Sequence, residues 1–308
     1  MTTTIPTTGA CRQTPTRSPS GSDARDASVL AGPGSQAGED ADRFLLTLWT
    51  DDPRLAERAD RAGIDRVGVD LETLGKRRRQ HGLGTWISPH TVDQLPAVRE
   101  RLSNARLFAR VNPLHEHTAA EVQLLLAHGV QVLMLPMFES AEQVARFIEL
   151  VDGRAAVALL LETVDAAREI ELIVALPGVR EIHVGINDLA LSLGMRNRFA
   201  VYDCELTDRV SACVRTAGVR FGIGGIGRAG DDSLPIPSDL LYAQYPRLGA
   251  SAALISRTFL AGAGEEIDLS HEVARSRELI AHWAASDQLE LRRARRMFRA
   301  ALAQCGGW

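Results

Sequence analysis

The stretch AVALLLETVDAAREIELIVALPGVREIHVGI, residues 156–186, decides the fold. It opens on an apolar run, AVALLLE (156–162), and closes on a second, EIHVGI (181–186). Between them Ile170, Ile173 and Val174 recur at helical spacing. Strand, helix, strand is the unit of a parallel sheet, because parallel neighbours need a long crossover.

Reading outward, the unit recurs. FLLTLW (44–49) is followed by DPRLAERADRAG, where Pro53 suits a first helical turn and Gly63 a C-cap. RVGVDL (66–71) leads into a charged loop, then a helix opened by Ser88 and Pro89 and running to about Leu102. LFARVN (107–112) precedes a helix near 116–128, and VLMLP (132–136) a helix from Ser140 to Val151. Beyond the opening stretch come a helix over 203–217, the strand RFGIGG (220–225), a short helix near 238–245 and the strand AALIS (252–256). Eight strands in about 210 residues favour closure, since an open doubly wound sheet more often has five or six. The expected fold is α/β, a (β/α)8 TIM barrel with extra C-terminal helices.

Three segments are expected. Residues 1–40, rich in Thr, Ser, Pro and Gly without an apolar period, are expected to be disordered, because they cannot offset their ordering entropy by burial. Residues 41–264 form the barrel and 265–308 the C-terminal helices. The basic, amphipathic DQLELRRARRMFRAAL either clamps the barrel bottom or packs on another subunit, and a homo-oligomer contact is the preferred reading.

Composition excludes several functions. Apolar residues make up 45% of the chain and aromatics 5%, which suits buried strands under helices. With 35 basic and 39 acidic side chains, no nucleic-acid partner is expected. No apolar stretch approaches the ~20 residues of a membrane span, and no secretion signal opens the chain. Cys11, Cys204, Cys213 and Cys305 form no CxxC pair and are read as reduced thiols, so the expected compartment is the cytoplasm.

In a barrel the chemistry sits where strands run out into βα loops. Those positions hold Asp70, Glu72 and Thr73; Arg110 and Asn112; Glu162 and Thr163; Asn187 and Asp188; Ser256 and Arg257. Four carboxylates and an arginine converge on one mouth, an arrangement that is costly unless a cation joins it. Oxygen ligands fit a hard ion, Mg2+ or Mn2+, with Glu162 and Asp188 the best direct ligands. The alternative makes both helix-start carboxylates satisfied by backbone N–H groups. Arg110 either grips a substrate carboxylate bidentately or forms an internal salt bridge with Asp70 or Glu72. Gly222, Gly224, Gly225 and Gly227 could let substrate or phosphate approach the backbone, and the run Lys76-Arg77-Arg78-Arg79 is either a solvated face or an anion site.

VGVDLETLGK, ARVNP, VLMLPMFESAEQV, LLLETVDAAREI and HVGINDLALSLG together resemble the HpcH/HpaI aldolase and citrate lyase β-subunit family, over roughly residues 44–260. The resemblance implies that Glu162 and Asp188 hold Mg2+ or Mn2+, that Arg110 holds the carboxylate of a pyruvate-like substrate, and that Asp70 and Glu72 orient metal-bound waters. It further implies assembly through swapped C-terminal helices and C–C bond chemistry beside a carboxylated enolate of a 2-oxo acid. The chain departs from the pyruvate aldolases at Thr73, where they carry a proton-transferring histidine. His90 could supply that proton relay from the next loop, or act only at a helix start. A lyase or condensing enzyme on a coenzyme A thioester is the rival enzyme reading, and a non-catalytic binding barrel the rival from another class.

Overall fold

All eight apolar runs form short parallel strands: β1 Leu45–Trp49, β2 Arg66–Asp70, β3 Arg106–Arg110, β4 Val132–Pro136, β5 Ala156–Leu161, β6 Glu181–Val184, β7 Arg220–Ile226 and β8 Ala252–Ile255. In the computed structural model, which describes residues 43–79, 88–231, 233–260 and 267–305, they pair in sequence order and close through β8 on β1. The expected (β/α)8 barrel with C-terminal helices is the observed fold. The expectation for residues 1–40 lies outside the described residues.

Side-chain alternation along the strands creates two cores. Outward residues such as Leu46, Val67, Leu107, Leu133, Leu159 and Ile182 pack beneath the helices. Inward residues Phe108, Val132, Met134, Ala158 and Leu160, with Trp49 and Leu254, form a separate cluster inside the barrel. Asp70 is in register with Arg110, Arg110 with Met134, and Met134 with Ala158, so these side chains share the inner face. Glu162 continues the inner row of β5 two residues beyond Leu160.

The helices follow local sequence chemistry. Pro53 starts the helix Pro53–Arg61, capped by the Asp52 carboxylate accepting from Arg54 N–H, and Ser140 caps Ala141–Val151 by accepting from Gln143 N–H. Thr118–Ala127 follows β3, and Glu205–Thr216 follows β6. Several expectations need correction. The charged loop after β2 contains a turn of helix, Lys76–Arg79. The next helix does not open at Ser88 and Pro89: Thr91 and Gln94 form a capping box ahead of Val92–Gln94 and Leu95–Arg99. The segment after β5 splits into Val164–Arg168 and Ile170–Val174. Three short elements were not expected, the helix Ile186–Ser192, the 3-10 helix Arg198–Asp203 and the helix Arg257–Leu260.

Two 17-residue helices, Leu269–Ala285 and Gln288–Gln304, end the described chain. The second buries Leu291, Ala294 and Phe298 against its own chain, Phe298 meeting Tyr202 edge-on with ring centroids 6.2 Å apart. Its Arg295 pairs with Asp203 and Asp208, and its Arg299 with Asp203. The basic face is therefore partly used within one chain, and the helix lies beside the crossovers that follow β6 and β7 rather than across the barrel bottom. None of the described helices is long and apolar enough to cross a membrane. Cys204, Cys213 and Cys305 are free thiols, and Cys11 lies outside the described residues.

At the N-terminal end of the barrel interior, Arg66 makes a bidentate pair with Glu181, at 2.8 and 2.7 Å, with both side chains buried. Burial disfavours the Glu181 anion, but Arg66 outweighs it and holds the carboxyl below its ordinary range. Removing one partner leaves an uncompensated buried charge. Arg66→Met should cost about 3–5 kcal/mol in urea unfolding, and Arg66→Met with Glu181→Met should recover most of that loss.

Candidate active site

The C-terminal ends of the strands open into a cavity of about 610 Å3. Asp70, Lys76, His90, Arg110, Glu162 and Asp188 are among the residues that line it. Phe199, Leu234, Leu241 and Ile255 add apolar surface to the lining, to which Arg198 and Arg257 also belong.

Arg110 is the centre of the charged cluster. Its Nε and Nη2 each donate to Asp70 at 2.8 Å, and its Nη1 stands 3.1 Å from Glu72 Oε2. The guanidinium lies over the Trp49 ring, 4.3 Å from the centroid. The internal salt bridge left open by the sequence is thus formed, with both carboxylates at once. Burial opposes the guanidinium charge, yet Asp70 and Glu72 raise its pKa above the usual arginine value. In return Arg110, then Lys76, hold the Asp70 carboxyl well below its ordinary range despite burial.

Glu72 is fully buried beneath the cavity lining. Lys76 Nζ approaches its Oε2 at 3.2 Å, and Arg79 binds its Oε1. Lys76 Nζ also donates to Asp70 Oδ2 at 3.1 Å. Lys76 and Arg79 are three residues apart on one helical turn and so reach the same cluster. The basic run is neither a uniform solvated face nor a simple anion site at these two positions; the side chains of Arg77 and Arg78 lie outside the described residues.

Glu162 and Asp188 differ from that pair. Glu162 Oε2 is buried and has no hydrogen-bond partner, while its Oε1 lies 4.0 Å from Arg110 Nη1. Burial, then repulsion from Glu72 and Asp188, pushes the Glu162 carboxyl well above its usual range. The helix-start alternative fails for Glu162, because Thr163 caps Val164–Arg168 by accepting from Ala166 N–H at 3.1 Å. Asp188 sits in the first turn of Ile186–Ser192 and accepts from Arg79 Nε at 3.3 Å. An orphaned buried oxygen beside two further carboxylates is short of positive charge, which a hard divalent cation would supply, although no three such side chains among the described residues already stand together as a metal site.

Two glycines make the site possible. A Cβ on Gly185 would lie 2.6 Å from both Cγ and Oε1 of Glu162, so the carboxylate occupies space that only glycine leaves. Gly224 has φ +60° inside the irregular pairing of β7 with β8, and a Cβ there would lie 2.0 Å from the Tyr202 hydroxyl. Gly225 and Gly227 also line the cavity, whereas Gly222 lies deeper, packed against His183.

The remaining strand-end residues divide by partner. Asn112 is a staple: its Oδ1 accepts from Thr73 N–H at 2.9 Å and Leu74 N–H at 3.0 Å, and its amide donates to Glu121 at 2.9 Å. Thr73 is exposed and turned to that staple. His90 Nδ1 accepts from Asp70 N–H at 3.1 Å, and its Nε2 lies 3.4 Å from Asp51. Burial lowers its pKa against the pull of Asp51 and Asp70. Burial and the neighbouring Arg257 bring Arg198 down to about 10. Ser256 and Thr258 hydroxyls lie 2.7 Å apart on the cavity wall. Lys76 and Arg79 were missed as individual site residues. The available signal was their three-residue spacing, which begins four residues after Glu72.

The model of the HpcH/HpaI aldolase/citrate lyase domain matches residues 43–224, more than half of the chain. The chain belongs to this family. Family members are lyases and condensing enzymes of the aldolase and citrate lyase type, and the barrel described above is shared with solved relatives. An HpcH/HpaI aldolase/citrate lyase family protein from Burkholderia cenocepacia is 21% identical, with TM-score 0.56, over 80% of this chain and 98% of that one. A citrate lyase β subunit from M. tuberculosis, solved with oxaloacetate and magnesium, is 19% identical, with TM-score 0.52, over 79% and 99%. CitE from Mycobacterium tuberculosis, solved with magnesium, acetoacetate and coenzyme A, is 20% identical, with TM-score 0.52, over 87% and 91%. At these identities the likeness shows the fold. No curated protein sequence matches the chain.

The Asp70 network carries its own pH signature. Its folded pKa lies below the ordinary 3.8, so its contribution to stability is full above that value and is lost as pH falls towards the lower folded value. Asp70→Asn should cost about 3 kcal/mol at pH 7, because Arg110 and Lys76 lose a buried partner. The gap between native and variant in urea unfolding should narrow as pH is lowered through the acid range.

Proposed function

We propose that the protein is a divalent-metal-dependent carbon–carbon lyase, an aldolase acting through the enolate of a 2-oxo acid. The observation that carries this reading is Glu162 Oε2, buried without a partner among carboxylates at the barrel mouth. Glu162 and Asp188 are the residues that would hold Mg2+ or Mn2+. Such an ion, when bound, supplies Lewis-acid stabilisation of negative charge developing on the substrate oxygens.

The other residues take roles from their partners. Arg110 brings a permanent positive charge to the cavity, and its Nη1, facing Glu162, is the edge that receives a substrate carboxylate. Asp70 and Glu72 fix Arg110 and Lys76, so the charges do not reorganise as the reaction proceeds. His90 positions the end of β2 through the Asp70 N–H, with Asp51 behind it. The apolar wall at Phe199, Leu234 and Leu241 excludes water from the enolate and receives the body of the carbonyl partner.

A coenzyme A thioester is the second reading, favoured by a cavity of about 610 Å3 that reaches past the carboxylates to Arg198 and Arg257. We also retain a homo-oligomer through the C-terminal helices, with Leu289 and Met297 exposed on the last one. Sedimentation velocity should then show a species larger than one chain, reduced by Met297→Glu; a single-chain mass for the native protein would end that reading.

The first test follows C3 proton exchange of pyruvate and oxaloacetate in deuterium oxide with added Mg2+ or Mn2+. Exchange should require metal and fall on the order of a hundredfold in Glu162→Ala. Mn2+ affinity, read by electron paramagnetic resonance, should weaken about 10–100-fold in the same variant. No exchange with either acid, set against exchange at C2 of acetyl-coenzyme A, would replace the oxo-acid reading with the thioester one.

A further inference from the structure

The 35 basic side chains of this protein contain a single lysine, Lys76; the other 34 are arginines. That lysine is buried at the candidate site, its side chain 5% exposed, and it lines the cavity. Elsewhere the chain meets its need for buried or half-buried cations with arginine, as at Arg66, Arg79, Arg110 and Arg247. The two cations differ in one chemical respect that matters here. A guanidinium does not give up its proton in a protein, whereas an ammonium can.

Geometry narrows the alternatives for proton transfer. Thr73, where the pyruvate aldolases carry histidine, has no titratable group and is turned to Asn112. His90 already accepts the Asp70 N–H at Nδ1 and directs Nε2 at Asp51. Arg79 and Arg110 keep their protons. Lys76 Nζ carries three N–H groups and has two acidic neighbours, Asp70 at 3.1 Å and Glu72 at 3.2 Å, and the side chain borders the cavity.

We propose that Lys76 is the proton-transfer residue of this site, giving a proton to C3 of the enolate and recovering it in the reverse direction. The proposal rests on the enolate reading of the same cavity. In the cleavage direction the C–C bond breaks and its electron pair remains on the enolate. An Nζ–H bond then breaks as C3–H forms, the keto group is restored, and Lys76 is left as a neutral amine that regains its proton from water. In the reverse direction the amine removes the C3 proton. Asp70 and Glu72 orient the ammonium in the first case and reprotonation restores their partner in the second.

The unique lysine makes a direct test possible. Protein grown on 15N-lysine carries one labelled side-chain amine, and addition of oxalate, an enolate analogue, with Mg2+ should shift its signal. A signal that stays in place while oxalate binds overturns the assignment without any variant. For exchange at C3 of pyruvate, Lys76→Arg keeps the charge but cannot act as a neutral base, so the rate should fall about 10²–10⁴-fold. Lys76→Ala should lose as much and regain part of it with added methylamine. Exchange that persists within about tenfold in Lys76→Arg overturns the role of Lys76 and leaves the enolate reading intact. Absence of exchange in the native protein overturns the enolate reading, and the role of Lys76 with it.

Discussion

The buried guanidinium of Arg110 is the contact on which the barrel mouth depends. It stands on the inner face of β3, in register with Asp70 of the adjacent strand, and holds both Asp70 and Glu72. Without a permanent cation there, two buried carboxylates would face each other across a dry interior, and each would be driven towards its neutral form. With it, the end of β2 is fixed, and Lys76 and Arg79 are drawn in from the following turn. The site is therefore a graded arrangement of charge. Carboxylates near Arg110 are compensated, and Glu162, at 4.0 Å from its edge, is only partly so. That gradient separates the carboxylates gripped by Arg110 and Lys76 from Glu162, whose Oε2 has no hydrogen-bond partner.

Much of the fold was legible because β-strands buried on both faces read as continuous apolar runs, whatever the tertiary context. AVALLLE and VLMLP are such runs, and both became strands. Short elements were harder to read. INDLALS follows a strand without a turn signal, so Ile186 reads as the end of the strand and nothing in the sequence announces a helix over Leu189 and Ala190. At Ser88 and Pro89 the reverse happened. Ser88 accepts the His90 N–H in a local turn, and the helix waits for the Thr91–Gln94 capping box.

The site was legible in position more than in partnership. Strand-end placement brought Asp70, Arg110, Glu162 and Asp188 to one cavity, since the barrel puts every strand end on the same face. The same rule also gathered Asn112 and Thr163, which serve the backbone: one staples the turn after β2, and the other caps a helix. A strand-end position does not say which of those uses a polar side chain will find. Nor does a run of four basic residues say that one of them turns inwards. That depends on the helical turn Lys76–Arg79 and on two carboxylates waiting beneath it.

The 3-10 helix Arg198–Asp203 joins two regions that are far apart in sequence. Its first residues, Arg198 and Phe199, belong to the cavity wall, while its last, Asp203, is gripped by Arg295 and Arg299 of the final helix. The wall is thus a strap buckled to the tail of the chain. Anything that loosens the buckle, whether a shortened tail or a new neighbour on that helix, changes the tension on the cavity without touching a residue inside it.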